Sequence, residues 1–394
     1  IADCKNLTEV NIVGDVTANV NRPAFNGCAA LTTVRFKDGV TVVNGGVVQG
    51  LKSLTTLELA DSITNIKSDA FKGCSGITGE LRLPDSLTQL GSNTFNGCTG
   101  ITSVTNMGTI TSCGSESYPS FNGCTGLTTV SYKEGAISTP AFLFLNCSNL
   151  KTVNFVDSIT KIGDSTFKNT GLEGEIRLPD SCTQLDNCSF FGCTGITSVT
   201  NMGTITSCGN SRWPSFGGCT GITTVVFKDG ATSIPSNLFL NCTGLNDVTF
   251  PDSMRTIDSY AFDGCSSLVE FTIPDKITSI ESHAFKLSAM TDTTVHTNSK
   301  VAKAYDWNGD KRNVTFVSDV ENSYVISVPA TVQMANITGD DYVGKYTITA
   351  KGTLVDDSKL NVNVGNEVVF DSGSEQVTGA VSQEKKSFVS SVVN

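Results

Sequence analysis

The stretch that decides the fold is CSNLKTVNFVDSITKIGDSTFKNT, residues 147–170. Its pattern recurs along most of the chain. The starts of the repeated units are Cys4, Cys28, Leu51, Cys74, Cys98, Cys124, Cys147, Thr170, Cys193, Cys219, Cys242 and Cys265. Successive starts are 23 or 24 residues apart, except after Cys98 and Cys193, where the spacing is 26. Because a unit this short cannot bury its own apolar face, the sequence predicts a solenoid of about twelve stacked coils.

The most regular feature of the repeat is a phenylalanine three positions before the next start. Its members are Phe25, Phe71, Phe95, Phe121, Phe144, Phe167, Phe190, Phe216, Phe239, Phe262 and Phe285, with Val48 in the one remaining place. Within residues 147–170, the near alternation from Leu150 to Phe155 predicts a short strand and residues 159–162 a second one. Ser165–Asn169 is predicted as a tight helical or 3₁₀ turn that brings Phe167 inward.

These repeats resemble a known family. The runs FKGCSGITGELRLPDSLTQL (71–90) and FDGCSSLVEFTIPDKITSIESHAF (262–285) are similar to BspA-like leucine-rich repeats. The resemblance covers residues 1 to about 317. It implies a leucine-rich-repeat solenoid of the α/β horseshoe class, with a parallel sheet and short 3₁₀ or helical turns. It also implies a surface protein like those of bacteria and some protists, several of which are linked to adhesion.

Both ends of the repeat region carry expectations of their own. The run TVHTNSKVAKAYDWNGDKRNVTFV (294–317) resembles the closing segment of such arrays, so residues 287–317 are predicted as a C-terminal cap with a short helix from Ser299 to Trp307. Ile1 enters the pattern in the middle of a unit, so we expect the natural chain to extend further in the N-terminal direction.

Residues 318–394 leave the repeat. Segments 324–328, 344–350, 360–364 and 368–370 are predicted as strands of a small Ig-like β-sandwich. The run YVISVPATVQM…GKYTITAKG is similar to sandwich modules of Gram-positive surface proteins.

Composition excludes several classes of function. The net charge is −11, which disfavours nucleic acid and anionic lipid as partners. No apolar stretch is long enough for membrane insertion. With only His283 and His296, and with no nucleophile near an identifiable base, the sequence predicts no catalytic residues, no metal site and no cofactor.

The fourteen cysteines occupy mostly apolar positions of the repeat. Ten stand at unit starts, so packed free thiols are favoured over disulfides or a metal site, which stay open as alternatives. Cys188 is predicted as the most exposed thiol. A recurring Asp in the first turn of the units is interpreted as a turn residue, with Ca²⁺ binding as the alternative.

The candidate binding residues lie in the two 26-residue units. Residues 98–124 closely match residues 193–219, and their extra residues form the segments 114–119 (GSESYP) and 209–214 (GNSRWP). Insertions in a solenoid project from one side, so Tyr118, Arg212 and Trp213 are candidates for ligand contact, while packing onto a neighbouring coil is the alternative.

The repeat predicts a scaffold that is not an enzyme, and the resemblance to BspA-like proteins implies an extracellular, surface-associated role in recognition or adhesion. Its expected partner is a host protein or a glycan. The alternative is a structural stalk or spacer within a larger cell-surface protein.

Overall fold

The computed structural model describes residues 2–317 and four strands within residues 347–392. The chain divides into two units, Ile1–Val317 and Ser318–Asn394. The first unit is a parallel solenoid of about thirteen turns. The repeat therefore predicts the architecture of this unit correctly.

Each coil carries a longer strand on one side. In chain order these strands are β1 (Glu9–Ile12), β2 (Thr33–Phe36), β4 (Thr56–Glu58), β6 (Gly79–Arg82), β8 (Ile101–Met107), β9 (Thr129–Tyr132), β11 (Thr152–Asn154), β13 (Glu173–Arg177), β15 (Gly195–Met202), β16 (Thr224–Phe227), β18 (Asp247–Thr249), β20 (Glu270–Thr272), β22 (Thr291–His296) and β23 (Arg312–Val317). They form four parallel sheets, β1-β2-β4, β6-β8-β9-β11, β13-β15-β16-β18 and β20-β22-β23. The register shifts at Gly79 and Gly174, whose φ angles of 78° and 74° suit a residue without a Cβ.

A shorter strand follows the first turn of most coils. These strands are β3 (Val42–Val43), β5 (Asn65–Ile66), β7 (Gln89–Leu90), β10 (Ser138–Thr139), β12 (Lys161–Ile162), β14 (Gln184–Leu185), β17 (Ser233–Ile234), β19 (Thr256–Ile257) and β21 (Ser279–Ile280). They make three parallel sheets of three strands each. The two gaps between these sheets fall at the 26-residue units, so the long loops interrupt this side of the solenoid.

The phenylalanine column forms the interior, as predicted. Ten of its rings are fully buried, and Phe25 is only 5% exposed. From Phe71 to Phe285, consecutive rings lie with centroids 4.8–5.9 Å apart. Val48, which replaces one ring, is also buried. Each coil therefore depends on its neighbours for the burial of its largest side chain.

The backbone around this column is a series of turns, so the predicted helical or 3₁₀ conformation is wrong there. Ser165 and Asn169 have φ angles of 51° and 55°, in the left-handed region. Their amides, and that of Phe167 between them, donate to carbonyl oxygens of the next coil at 2.8–2.9 Å. These hydrogen bonds run between coils, so a left-handed residue on each side of the ring replaces helical geometry.

All fourteen cysteines are free thiols in the structure. At most unit starts the Sγ donates to the carbonyl oxygen of the phenylalanine column, as in Cys193 to Phe167 (2.9 Å) and Cys219 to Phe190 (3.0 Å). Burial raises the pKa of Cys193 to about 11, which keeps it as a thiol at neutral pH. The exposed cysteine is Cys4, which no described coil covers from the N-terminal side.

The last coil is closed by β22, the helix α1 (Lys300–Ala304) and β23. Ser299 caps α1 by accepting a hydrogen bond from the amide of Ala302. The helix is shorter than predicted, because the chain leaves it at Tyr305 to place Trp307 on the end of the core. Trp307 is 5% exposed and donates from Nε1 to the Ala302 oxygen at 2.8 Å.

Four strands are described in the second unit: β24 (Thr347–Lys351), β25 (Glu367–Asp371), β26 (Gln376–Val381) and β27 (Phe388–Val392). They form one sheet, in which β24 and β25 are parallel and the other pairs antiparallel. Two predicted strands, 344–350 and 368–370, overlap β24 and β25, whereas 324–328 and 360–364 lie outside the described residues. The described strands make a single sheet, so the sandwich stays a prediction.

Candidate functional site

The face made by the long strands is a surface of partnered charges. Arg82 contacts Asp61 at 2.7 Å and Asp85 at 3.0 Å, and Arg177 repeats this arrangement 95 residues later. The Arg82 guanidinium holds the pKa of Asp61 below its usual value, and the same carboxylate accepts from the Asp85 amide of the next coil. Within residues 2–317, no group of three or more His, Cys, Asp or Glu side chains could hold a metal ion. Asp61, like Asp157, accepts a backbone amide of the following coil and so joins two adjacent coils.

The two long loops have the same backbone design. In each, a glycine begins the loop and the aromatic residue closes it, with bridges between Ser115 and Tyr118 and between Asn210 and Trp213. A Cβ on Gly114 or Gly209 would collide with the carbonyl oxygen of the aromatic residue. Only glycine therefore lets these loops fold back so tightly.

Two buried serines, which the sequence analysis did not single out, anchor the loops. Ser120 Oγ accepts from the Gly114 amide at 3.1 Å and donates to the Gly91 oxygen of the preceding coil at 3.0 Å. Ser215 does the same for Gly209, and donates to the Leu185 oxygen. The sequence feature that could have identified these serines is their equivalent position in the two 26-residue units. Both loops are thus tied to rigid coils.

The three predicted binding residues all lie at the surface. Tyr118 is 57% exposed and Trp213 is 39% exposed. Arg212 is exposed as well, and its Cζ lies 5.3 Å from the centre of the Trp213 ring, which is a cation–π contact. The structure places Arg212 and Trp213 together on one loop and Tyr118 on the other, so Tyr118 is not part of a single cluster with them.

A cleft of about 180 Å³ lies between the two loops. Its floor is built from Phe142, Ser165 and Cys188, which hold equivalent left-handed positions on three successive coils. Its other lining residues are Glu116, Asp164, Lys168, Asn187 and Trp213. The cleft therefore takes one residue from the first loop, one from the second and the rest from the coils between them.

Lys168 connects the two loops across this cleft. It stands on the middle one of the three coils, with its Nζ 3.4 Å from Glu116 Oε1 and 5.1 Å from the centre of the Trp213 ring. Only 15% of its side chain is exposed. This mostly buried cation therefore contacts an acid of one loop and the indole ring of the other.

Cys188 corrects one of the sequence predictions. The sequence predicts it to be the most exposed thiol, but Cys188 is only 1% exposed at the bottom of the cleft. The Trp213 segment lies next to it, and the Cys188 amide donates a hydrogen bond to the Trp213 carbonyl oxygen at 3.2 Å. Burial raises the pKa of the Cys188 thiol above its ordinary value. A neutral thiol is a weaker nucleophile than a thiolate.

Stacked parallel coils, a buried phenylalanine column and anchored loops on one side define a leucine-rich-repeat solenoid, a fold typical of non-enzymatic scaffold proteins. The sequence model of the BspA type leucine rich repeat region matches residues 2–120, 117–213 and 212–311. The chain belongs to this family. None of the curated proteins matches it.

Several solved structures are similar to this chain. A leucine-rich repeat protein from Bacteroides ovatus is 22% identical, with a TM-score of 0.53 over 80% of this chain and 85% of that one. A leucine rich cell surface protein from Faecalibacterium prausnitzii is 20% identical (81% and 93%, TM-score 0.35), and an internalin from Listeria monocytogenes is 12% identical (80% and 88%, TM-score 0.27). The first of these supports the fold. Within residues 2–317, no helix has the length and apolar character of a membrane-spanning segment.

Proposed function

We propose that this protein is a non-catalytic recognition scaffold at the cell surface, and that it contacts a host protein or glycan through the cleft between its two long loops. The observation that carries the proposal is that two matching loops, each anchored by a buried serine, enclose a polar cleft beside a half-exposed tryptophan. Rigid anchoring reduces the ordering cost of binding, and tryptophan and arginine are the side chains most often dominant at interfaces.

Family membership supports the proposed location of the protein at the cell surface. Family membership and the neutral Cys188 thiol support the proposed absence of catalysis. The F. prausnitzii relative is described as a cell surface protein. Membership of a repeat family whose fold serves as a scaffold, together with the lack of an activated nucleophile in the cleft, favours recognition over turnover. For the second unit, we keep the Ig-like sandwich as the proposed fold of a spacing or attachment module.

The test is a comparison of three purified chains for binding to epithelial cells and to immobilised matrix proteins. We expect the wild type to bind, Trp213→Ala to lose at least tenfold in apparent affinity, and Met290→Ala to bind like the wild type. Met290 is a suitable control because it is an exposed apolar residue (53%) outside the cleft. If none of the three binds above background, the chain is a spacer and the proposed recognition is wrong.

A further inference from the structure

The cleft between the loops has the size of a single ring. Its 180 Å³ slightly exceeds the cavity of about 150 Å³ that holds one benzene molecule in a well-studied protein. It cannot enclose a protein side-chain cluster or a long oligomer. A ligand that fits would therefore place one six-membered unit inside, with the remainder outside.

The groups around the cleft combine hydrogen-bond donors and acceptors at close range. Lys168 carries three N–H donors, of which Glu116 takes one. The Asn187 amide adds two donors, while its oxygen accepts from Asn210 at 3.5 Å. The Asp164 carboxylate accepts a hydrogen bond from the Ser165 hydroxyl at 2.7 Å, and it can accept further hydrogen bonds from a ligand. Such a mixture suits a ligand that donates and accepts at neighbouring atoms, as vicinal hydroxyl groups do.

The charges of the cleft argue against a charged ligand. The cleft is lined by two carboxylates, Glu116 and Asp164, and one ammonium, Lys168, while the Arg212 guanidinium lies on the Trp213 ring. These four charges sum to zero, so the site has no net attraction for an anion. A cationic ligand would be expected to bind between the indole ring and Glu116, but the ammonium group of Lys168 already occupies that position. A neutral ligand is the class that remains.

We propose that the cleft binds one neutral hexose ring of a glycan. The C–H bonds on the face of a pyranose carry a small positive charge and are attracted to the negative face of an aromatic ring, here the exposed part of Trp213. Hydroxyl groups of the same ring are then within reach of Lys168, Asp164 and Asn187. This inference rests on the proposed function, since it names the partner class of the same cleft.

The test uses an array of printed oligosaccharides, with neutral hexose-terminated glycans beside sialylated and sulfated ones. Printing many copies compensates for the weak affinity of a single ring. We expect the full chain to bind at least one neutral glycan. Trp213→Ala is expected to reduce the signal at least tenfold and Lys168→Met at least fivefold, while Met290→Ala leaves it unchanged. Circular dichroism during urea unfolding checks that each variant is folded.

Two results would overturn the hexose assignment. One is the absence of binding to any neutral glycan, including the case in which only sialylated or sulfated glycans bind. The other is binding that folded Trp213→Ala retains in full. If the chain binds a matrix protein in a Trp213-dependent way but no neutral glycan, the glycan inference fails and the proposed recognition function stands.

Discussion

Replacing Arg312 with Met is expected to lower the free energy of unfolding by about 3–5 kcal/mol and to detach the C-terminal cap. Arg312 is only 1% exposed, although it is a cation. Its guanidinium donates to three carbonyl oxygens of the last coils, those of Phe285 (2.6 Å), Leu268 (2.6 Å) and Cys265 (3.4 Å), and to Thr293 Oγ1. Methionine fills a similar space but leaves these acceptors without a donor, at about 1–3 kcal/mol each. Removal of a buried charge offsets part of this loss.

The burial of Arg312 also lowers the pKa of its guanidinium. Loss of water around the guanidinium lowers its pKa to about 10, so the group is still charged at neutral pH and keeps all its donors. Urea unfolding monitored by circular dichroism gives the change in stability, and amide hydrogen exchange of Thr291–His296 and Arg312–Val317 shows where it acts.

Arg255→Met is the matched control for Arg312→Met. Arg255 also donates to two carbonyl oxygens, those of Asp252 and Met254 at 2.8 Å, but it is half-buried and water can replace it. Its loss is expected to change stability by less than about 1 kcal/mol. Equal effects of the two substitutions would show that Arg312 does not hold the cap.

Replacing Phe190 with Ala in the middle of the column is expected to cost about 3–5 kcal/mol. The Phe190 ring is fully buried and lies parallel to Phe216, with centroids 4.8 Å apart and planes 1° apart, while Phe167 lies 5.4 Å away on the other side. Alanine leaves a cavity between two rings that adjacent coils hold fixed. Because each coil contacts only its neighbours, the amides of the coils around Phe190 should exchange faster in the variant than in the wild type, while those of distant coils change little.

Phe191 provides the control within the same coil. It is the next residue in the chain and is only half-buried, outside the column. Phe191→Ala is expected to cost about 1 kcal/mol, since less apolar area leaves water on folding. A cost as large as that of Phe190→Ala would contradict the stacked column.

The repeat made the column and the strands predictable, because a period of 23 residues fixes which side chains share the interior. The placement of Phe190, Cys193 and Val48 follows from that period alone. Position in the repeat also predicted that Trp213 and Arg212 are exposed, because residues inserted into a solenoid coil project from its surface.

Other features depend on geometry that a period does not encode. Ser165 and Cys188 adopt left-handed backbone angles that side chains rarely favour, and only hydrogen bonds to the next coil account for them. Lys168 meets Glu116 across 52 residues of sequence, so nothing local marks it as part of a site. From the sequence alone, Arg312 would be assigned to the surface as an ordinary charged residue. Only the fold brings its guanidinium within hydrogen-bond distance of three backbone carbonyl oxygens.

The most direct test of the stacked coils is a disulfide between neighbouring coils. Thr33 and Thr56 are paired residues of β2 and β4, where strands lie about 4.8 Å apart, within the span of roughly 4.4–6.8 Å that a disulfide bridges. Glu9 pairs with Thr33, so Glu9 and Thr56 are two coils apart, about 9.6 Å. With Cys4→Ser in both, mild oxidation should cross-link Thr33→Cys/Thr56→Cys and leave Glu9→Cys/Thr56→Cys unlinked in peptide mass spectra. Equal cross-linking of the two pairs, or linkage of the second alone, would contradict the stacked solenoid.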